Sequence, residues 1–423
     1  MKAKALTVIT GVLLLTAAAA WLLRVEFAFF SNFYLLYLGL LLALLGLTFI
    51  LLQFILASRI KILERGFGLD RMFSWHRIFG RAGLIMVTLH AVLIVAFRLS
   101  YFGQIFFNVF IFLGVLALLG FMVTAGLAST YKKIGLAYET WRNIHLANYV
   151  LFPVVMVHAF YHGPPGSLLY YYLYLLGLLF LAVIIYRLVR IISMRRNPYE
   201  VTEVRQEADD IWSLFFKGPR LDFKPGQFMF IQLFRDGQLS SPHPFTISAS
   251  PTAENLSITP KKLGDFTMTI KDTRPGDRAY IDAPYGVFSF LNVAPGELVF
   301  IAGGIGITPF MSMLRYSYDH KLDQKVTLFW ANRSEKNLCF QEELETMQKE
   351  MPGLKVIPVM SDQPDWSGEK GHIKAPVLMN YLESLGNKEY FVCGPPAMSR
   401  AVINELKQLN VSSLKIHTEL FEL

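Results

Sequence analysis

Cysteine is nearly absent. Cys339 and Cys393 are the only two among 423 residues, and both fall in the second half. That excludes a disulfide framework and a cysteine-based metal site, and it suits a reducing compartment for that half. Internal repeats and low-complexity tracts are also missing, which excludes solenoid and propeller architectures. Nor is there a broad basic patch. The formal charge is +8, but Lys and Arg come in short clusters between apolar runs. That is the pattern of a positive-inside membrane protein, not of a nucleic-acid binder.

What is abundant is apolar sequence. Roughly the first 195 residues are dominated by Leu, Ile, Val, Phe and Ala, and the rest has an ordinary soluble composition. Six segments reach membrane length, at about 6–23, 33–57, 75–97, 105–128, 143–162 and 167–192. The first follows Met1-Lys2-Ala3-Lys4 and has the look of a signal peptide. Apolar character continues through Trp21-Leu22-Leu23, however, so an uncleaved anchor is expected. Basic residues flank one side of the spans: Lys2 and Lys4, then Arg59 to Arg81, then Lys132, Lys133 and Arg142, then Arg187 to Arg196. The other side has little beyond Arg24 and Arg98. Both termini are therefore expected in the cytoplasm, in a multi-pass protein of the cell membrane.

The soluble half divides again. Residues 197–294 carry short β-branched and aromatic runs punctuated by Lys224-Pro225-Gly226 and Arg274-Pro275-Gly276-Asp277, an antiparallel β-barrel pattern. Residues 295–423 alternate apolar strands with helical runs, which predicts a parallel α/β sheet of Rossmann type. The expected fold is thus a six-helix transmembrane bundle over 1–196 followed by these two domains.

Within the membrane half stand four histidines in two pairs: His76 and His90 on the third segment, His145 and His158 on the fifth. A histidine in an apolar span is costly without a partner or ligand, and neutral imidazole is a common axial ligand of haem iron. Both segments run in the same direction. His76 must then face His145 on the cytoplasmic side, and His90 must face His158 on the outer side, giving two bis-histidine haems separated by roughly 20 Å. Fourteen residues return a helix to within about 40° of its starting face, but thirteen miss by about 140°. Pro153 lies between His145 and His158, so a departure from regular helix is predicted over residues 149–154. His162 sits at the outer boundary beside Gly163-Pro164-Pro165. It reads either as a solvated loop histidine or as a group near an acceptor site.

Two further sets of motifs follow. His243-Pro244-Phe245-Thr246-Ile247-Ser248 reads as a strand that lays an aromatic ring and hydroxyls against a flat ligand. Lys261-Lys262-Leu263-Gly264-Asp265-Phe266-Thr267 sets a basic residue before a helix start, where backbone N–H groups favour a pyrophosphate. Phe300 to Phe310 reads strand, turn (Gly303, Gly304, Gly306), then helix, with Thr308 suited to the N-cap and Pro309 to the first helical position. That is a dinucleotide phosphate site. Arg333 and Ser334 end the next strand, where a 2′-phosphate would be read, and Arg333 points to NADPH over NADH. Cys393-Gly394-Pro395 closes the last clear strand, with Cys393 reading as a buried thiol.

The motifs HPFTIS, KKLGDFT, IDAPYG, GGIGITPF and CGPPAM, in this order behind the histidine quartet, resemble the ferric-reductase and NADPH-oxidase superfamily. The resemblance spans nearly the whole chain. It implies that FAD is held by Phe245, Thr246 and Ser248 near its ring system and by Lys261 and Gly264 to Thr267 near its pyrophosphate. It also implies that the glycine turn and Cys393-Gly394-Pro395 hold the nicotinamide nucleotide. In the family a C-terminal aromatic often stacks on the flavin, and Phe421 is the counterpart, although Glu422 and Leu423 follow it. The implied activity is electron transfer from NADPH through FAD and two b-type haems to oxygen, giving superoxide. A ferric chelate or a protein partner is the alternative acceptor. Animal-type oxidases carry an arginine and an extra histidine by the outer haem; here Ile94 stands four residues after His90.

Overall fold

The computed structural model describes residues 33–419 together with Gly11 and Leu14. Apart from Gly11 and Leu14, the first expected span lies outside the described residues, as does Phe421. The chain forms two compact units, Met1–Ile191 and Ile192–Leu423.

In the first unit the helices are α1 (Tyr34–Ala57), α2 (Lys61–Phe67), α3 (Leu69–Phe102), α4 (Val109–Thr130), α5 (Tyr138–Leu146), α6 (Asn148–His162) and α7 (Leu168–Arg196). With α5 and α6 taken together, five spans among the described residues are long and apolar enough to cross a membrane. Their sides expose large apolar residues such as Val123, Leu178 and Val189. Water would penalise such a surface and lipid does not. Side chains satisfy two of the helix ends. The Asn108 side chain accepts from Ile111 N–H at 2.9 Å to cap α4. Arg190 on α7 donates to the Ser58 carbonyl at 2.7 Å, satisfying the C-terminal end of α1. Thr48 and Tyr172 hydroxyls, 2.5 Å apart, tie α1 to α7 in the interior.

The departure from regular helix expected over residues 149–154 is absent, because they are continuous α-helix within α6; the irregular turn comes earlier. It falls at Ala147, whose N–H bonds to the Ile144 carbonyl in a tight turn before α6 restarts. Pro153 itself lies inside α6. The restart is pinned from outside the segment: Thr124 on α4 donates its hydroxyl to the Asn148 side chain at 2.9 Å. The tie to a neighbouring helix, not the proline ring, coincides with the irregular turn.

The second unit contains two sheets. Strands β1 (Tyr199–Ala208), β2 (Ile211–Lys217), β3 (Phe228–Arg235), β4 (Gln238–Leu239), β5 (His243–Thr246), β6 (Leu256–Ile258) and β7 (Arg278–Tyr285) pair antiparallel in the order β4-β3-β7-β1-β2-β6, with β5 added to β3. The ladder pairing runs as an open path, and just past β5 the Ser248 N–H donates to the Ser257 carbonyl of β6 at 2.8 Å, linking its two ends. A short helix α8 (Asp265–Met268) follows β6. The second sheet is parallel, in the order β11-β10-β9-β8-β12-β13, from β8 (Glu297–Gly303), β9 (Val326–Asn332), β10 (Leu354–Met360), β11 (Glu369–Lys370), β12 (Lys388–Cys393) and β13 (Ile416–Glu419). Helices α9 (Thr308–Asp319), α10 (Gln341–Glu350), α11 (Ala375–Tyr381) and α12 (Pro396–Gln408) connect its strands. The four inner strands β8, β9, β10 and β12 are apolar at their centres because both faces are covered. Strand order reverses between β8 and β12, which places a ligand crevice at their carboxyl ends.

Candidate functional site

The first unit brings the histidines together in the expected pairs. The rings of His76 and His145 lie with centres 6.1 Å apart. Two imidazoles sharing one iron, each nitrogen about 2 Å from it, hold their centres about 6 Å apart. His90 and His158 both line a cavity of about 660 Å³ between the helices, among residues such as Leu47, Ile94 and Val155. That volume is of cofactor size.

Second partners orient three of the four rings. Nδ1 of His90 is 2.9 Å from the Gly39 carbonyl, that of His158 is 2.8 Å from the Phe110 carbonyl, and that of His76 is 3.3 Å from the Gln53 carbonyl. A carbonyl only accepts, so Nδ1 carries the proton and Nε2 keeps its lone pair, the arrangement a metal ligand requires. Nδ1 of His145 is buried without such a partner. Near the inner pair, Gln53 Oε1 and Trp141 Nε1 are also buried with no hydrogen-bond partner, and the Trp141 ring lies 5.6 Å from that of His145. Buried polar atoms left this way ask for a ligand. These residues fit a haem at each pair. Among the described residues no cluster of three or more His, Cys, Asp or Glu forms a metal site; a haem draws only two ligands from the protein.

His162, exposed at the end of α6, has its ring 4.9 Å from that of His158 and lines the same cavity. Arg98 joins it there, with its guanidinium also bonded to the Phe106 carbonyl at 2.9 Å. Arg98 was not expected at the site. The available signal was its position eight residues after His90, close to the same helix face.

In the second unit, β5 carries the flavin motif. Thr246 is buried, and its hydroxyl has no hydrogen-bond partner, an orphaned group that fits a flavin edge. His243 stacks on Phe266 at 3.9 Å, joining the two flavin motifs. Arg235, unforeseen from the sequence, bonds Thr269 through its carbonyl and hydroxyl and lies 5.9 Å from the Phe266 ring. Ser248 departs from expectation. It is fully buried, and its hydroxyl joins an internal chain with Ser257 at 2.9 Å and Thr259 at 3.1 Å. Lys261 pairs with Asp210 at 3.2 Å. Gly264 precedes α8, which is only four residues long, and Thr267 Oγ1 accepts from both Leu263 and Gly264 N–H. The helix start therefore offers fewer free donors than its sequence suggested.

At the dinucleotide crevice, β8 runs into a tight 3₁₀ turn, Gly304–Ile307, and then α9. The cap falls one residue earlier than expected: Thr308 is already helical, and its hydroxyl donates back to the Ile305 carbonyl at 3.1 Å. Trp330 on β9 donates its indole N–H to the Gly304 carbonyl at 3.0 Å and so fixes the turn. Gly306 must be glycine, because a Cβ there would collide with the Cys393 carbonyl. Pro395 and Met398 likewise crowd Gly303, and Gly394 meets it across the crevice. The switch-point strands β8 and β12 thus touch backbone to backbone. The Cys393 thiol is fully buried, and burial, with the neighbouring Glu419 carboxylate, pushes its pKa well above the ordinary value. Arg333 is exposed at the end of β9, and Ser334 starts the next turn. Asn332 was missed: it is buried, and neither end of its amide has a partner.

Three family profiles match the chain in sequence. They are a ferric reductase like transmembrane component over residues 42–156, an FAD-binding domain over 196–289 and an oxidoreductase NAD-binding domain over 300–404. The second unit thus matches the FAD- and NAD-binding domains of oxidoreductases. The same chain carries the match to a ferric reductase like transmembrane component ahead of them. Among curated relatives, the F-subunit of the Na(+)-translocating NADH-quinone reductase of Pseudoalteromonas atlantica is 35% identical over 178 residues, 40% of this chain and 42% of its own length. The glycine betaine monooxygenase reductase subunit of Chromohalobacter salexigens is 27% identical over 238 residues, 53% of this chain and 64% of its own. The chain thus spans about half the length of these relatives. A flavohemoglobin from Malassezia yamatoensis, solved with bound FAD and heme, superposes with a TM-score of 0.51 at 18% identity, covering 92% of this chain and 96% of that one. That likeness concerns the fold alone.

Proposed function

We propose that the chain conducts electrons from cytosolic NADPH across the cell membrane to oxygen outside, giving superoxide. The observation that carries this reading is the histidine geometry: two pairs, one with rings 6.1 Å apart and the other on a shared cavity, with Nδ1 of three rings tied to backbone carbonyls. When bound, FAD splits a two-electron donor into single electrons and two b-type haems supply stations through the bilayer. The residues do the rest. His76 with His145 and His90 with His158 would hold two irons, and backbone carbonyls keep three of those imidazoles, all but His145, in the ligating tautomer. Phe245, Phe266 and the free Thr246 hydroxyl seat the flavin. Gly303 to Gly306 and Gly394 let the dinucleotide backbone approach, with Trp330 holding the turn. Arg333 and Ser334 receive the 2′-phosphate. NADH is the second donor, favoured by the name of the Pseudoalteromonas relative. Outward electron flow moves charge across the bilayer, so its driving force changes by about 2.3 kcal/mol per 100 mV.

At the cavity shared by His90 and His158, Arg98 and His162 add a positive charge and a further imidazole beside His158. Both groups suit an acceptor that gains negative charge, which supports oxygen. A ferric chelate is the second reading, favoured by the ferric-reductase profile over 42–156 and by Ile94 beside His90. Delivery to a protein partner is the third; the Chromohalobacter relative is itself named a reductase subunit. The test is an acceptor assay on purified protein with haem counted by pyridine haemochrome. Two haems per chain, with cytochrome reduction that superoxide dismutase abolishes, are expected. Equal rates of anaerobic ferric-chelate reduction would transfer the reading to a metalloreductase. Negligible turnover with both would point to a protein acceptor, and protein without haem would end the transmembrane reading.

A further inference from the structure

We propose that Arg315 is a positioning residue that sets the stand-off between the flavin strand and the dinucleotide turn. Helix α9 begins directly after the glycine turn, and Arg315 lies two turns along it. Its guanidinium grips both carboxylate oxygens of Glu343 on α10, with Nε at 2.7 Å and Nη2 at 2.6 Å. The planar fork leaves Nη1 aimed away from that pair. Nη1 donates to the Ser248 carbonyl at 2.6 Å. One turn earlier, the buried Ser312 hydroxyl donates to the next carbonyl, Ala249, at 2.7 Å. Phe340 packs under the guanidinium at 5.0 Å.

Two consecutive carbonyls of the antiparallel domain are therefore held by two side chains on one face of α9. They lie two and three residues past Thr246, the orphaned hydroxyl of the flavin strand. The same helix carries the glycine turn at its start. Beside the tie lies an open cleft of about 1060 Å³, walled by Ser250 and Asn255 on one side and Asp319 and Glu343 on the other. On that flank the polar tie joins the domains where apolar packing gives way to open space. Hydride transfer breaks a C–H bond on the reduced nicotinamide and forms an N–H bond on the flavin, so its rate depends on their separation. A shift of about 1 Å costs about 100-fold. The proposal rests on the reading of this unit as a hydride-transfer pair.

The test uses the full chain in detergent, with variants Arg315→Met, Arg315→Lys and Glu343→Gln. Flavin reduction by NADPH is followed anaerobically by stopped flow, alongside FAD content and dinucleotide Kd. Amide hydrogen exchange at residues 246–250 is measured without dinucleotide. The expected result for Arg315→Met is a flavin reduction rate lowered by about 10-fold or more, with FAD content and Kd unchanged and exchange at 246–250 accelerated. Arg315→Lys and Glu343→Gln, which keep part of the network, should fall in between. A wild-type rate with wild-type exchange overturns the proposal. So does a rate loss matched by equal loss of FAD or of dinucleotide affinity, since that marks a purely structural ion pair. Wild-type protein whose flavin NADPH and NADH both fail to reduce would refute the hydride-transfer reading instead, while the exchange data still report on the tie.

Discussion

Gly114 and His158 meet across α4 and α6 with no room for a methyl group between them. A Cβ at position 114 would stand 2.7 Å from the His158 ring, whose Nδ1 is meanwhile held at 2.8 Å by the Phe110 carbonyl one turn away. The glycine and the carbonyl together leave that imidazole a single orientation. Gly114→Ala should therefore displace the ring at an overpacking cost of about 1–3 kcal/mol. Loss of the outer haem is expected with the inner one retained, read as a fall from two haems to one by pyridine haemochrome. Two haems with unaltered midpoint potentials would show that the ring does not ligate.

Direct removal of the outer ligands gives a sharper separation of functions. His90→Ala or His158→Ala should abolish reduction of external acceptors, because no station remains near the outer surface. Reduction of FAD by NADPH should persist, since the second unit forms its own cores. Stopped-flow flavin bleaching beside an external acceptor assay distinguishes the two steps. A variant that loses both together would mean that the histidines hold the fold and not a redox centre.

The histidine pairs were legible because a polar ring in an apolar span is costly unless ligated or paired, and because parallel spans admit one pairing. Arg98 was not, since a lone basic residue near a span end reads equally well as a topology marker, and His162 read equally as a solvated loop histidine. Their meeting depends on how α3 and α6 pack, which no local pattern encodes. The same limit explains Ser248. The run HPFTIS offers its hydroxyl to a ligand on paper, but Ser257 and Thr259, on or next to β6, reach it first. The irregular turn stands at Ala147 and not near the proline, beside Asn148, which Thr124 on another helix holds. Motifs carried the chemistry; long-range hydrogen bonds decided which side chains were free to perform it.

The two thiols should be inert in the folded protein. Burial pushes the Cys339 pKa up to about 12 and that of Cys393 well above its ordinary value. Only the thiolate reacts, so at pH 8 labelling by a maleimide should be negligible until denaturant is added. The sign for stability follows. The unfolded thiols ionise near about 8.5 and the folded ones do not, so stability falls as pH rises through the unfolded value. Rapid native labelling of Cys393 would mean that the switch-point strands part in solution and expose the nicotinamide crevice.

Arg333→Ala tests the choice of donor. Arg333 ends β9 at the carboxyl edge of the sheet with an exposed side chain, and no ion pair among the described residues engages it. A 2′-phosphate there would gain a charge-assisted hydrogen bond of about 1.5–3 kcal/mol, and the ribose hydroxyl of NADH would not. Arg333→Ala should then raise the KM for NADPH roughly 10- to 100-fold while that for NADH changes little. Because the side chain is exposed and outside any ion pair, kcat at saturation should stay near wild type, which separates lost recognition from damage. An equal effect on both dinucleotides would remove the 2′-phosphate role. The buried amide of Asn332, unpartnered one residue earlier, would then be the next group to examine as the reader of the ribose shared by both donors.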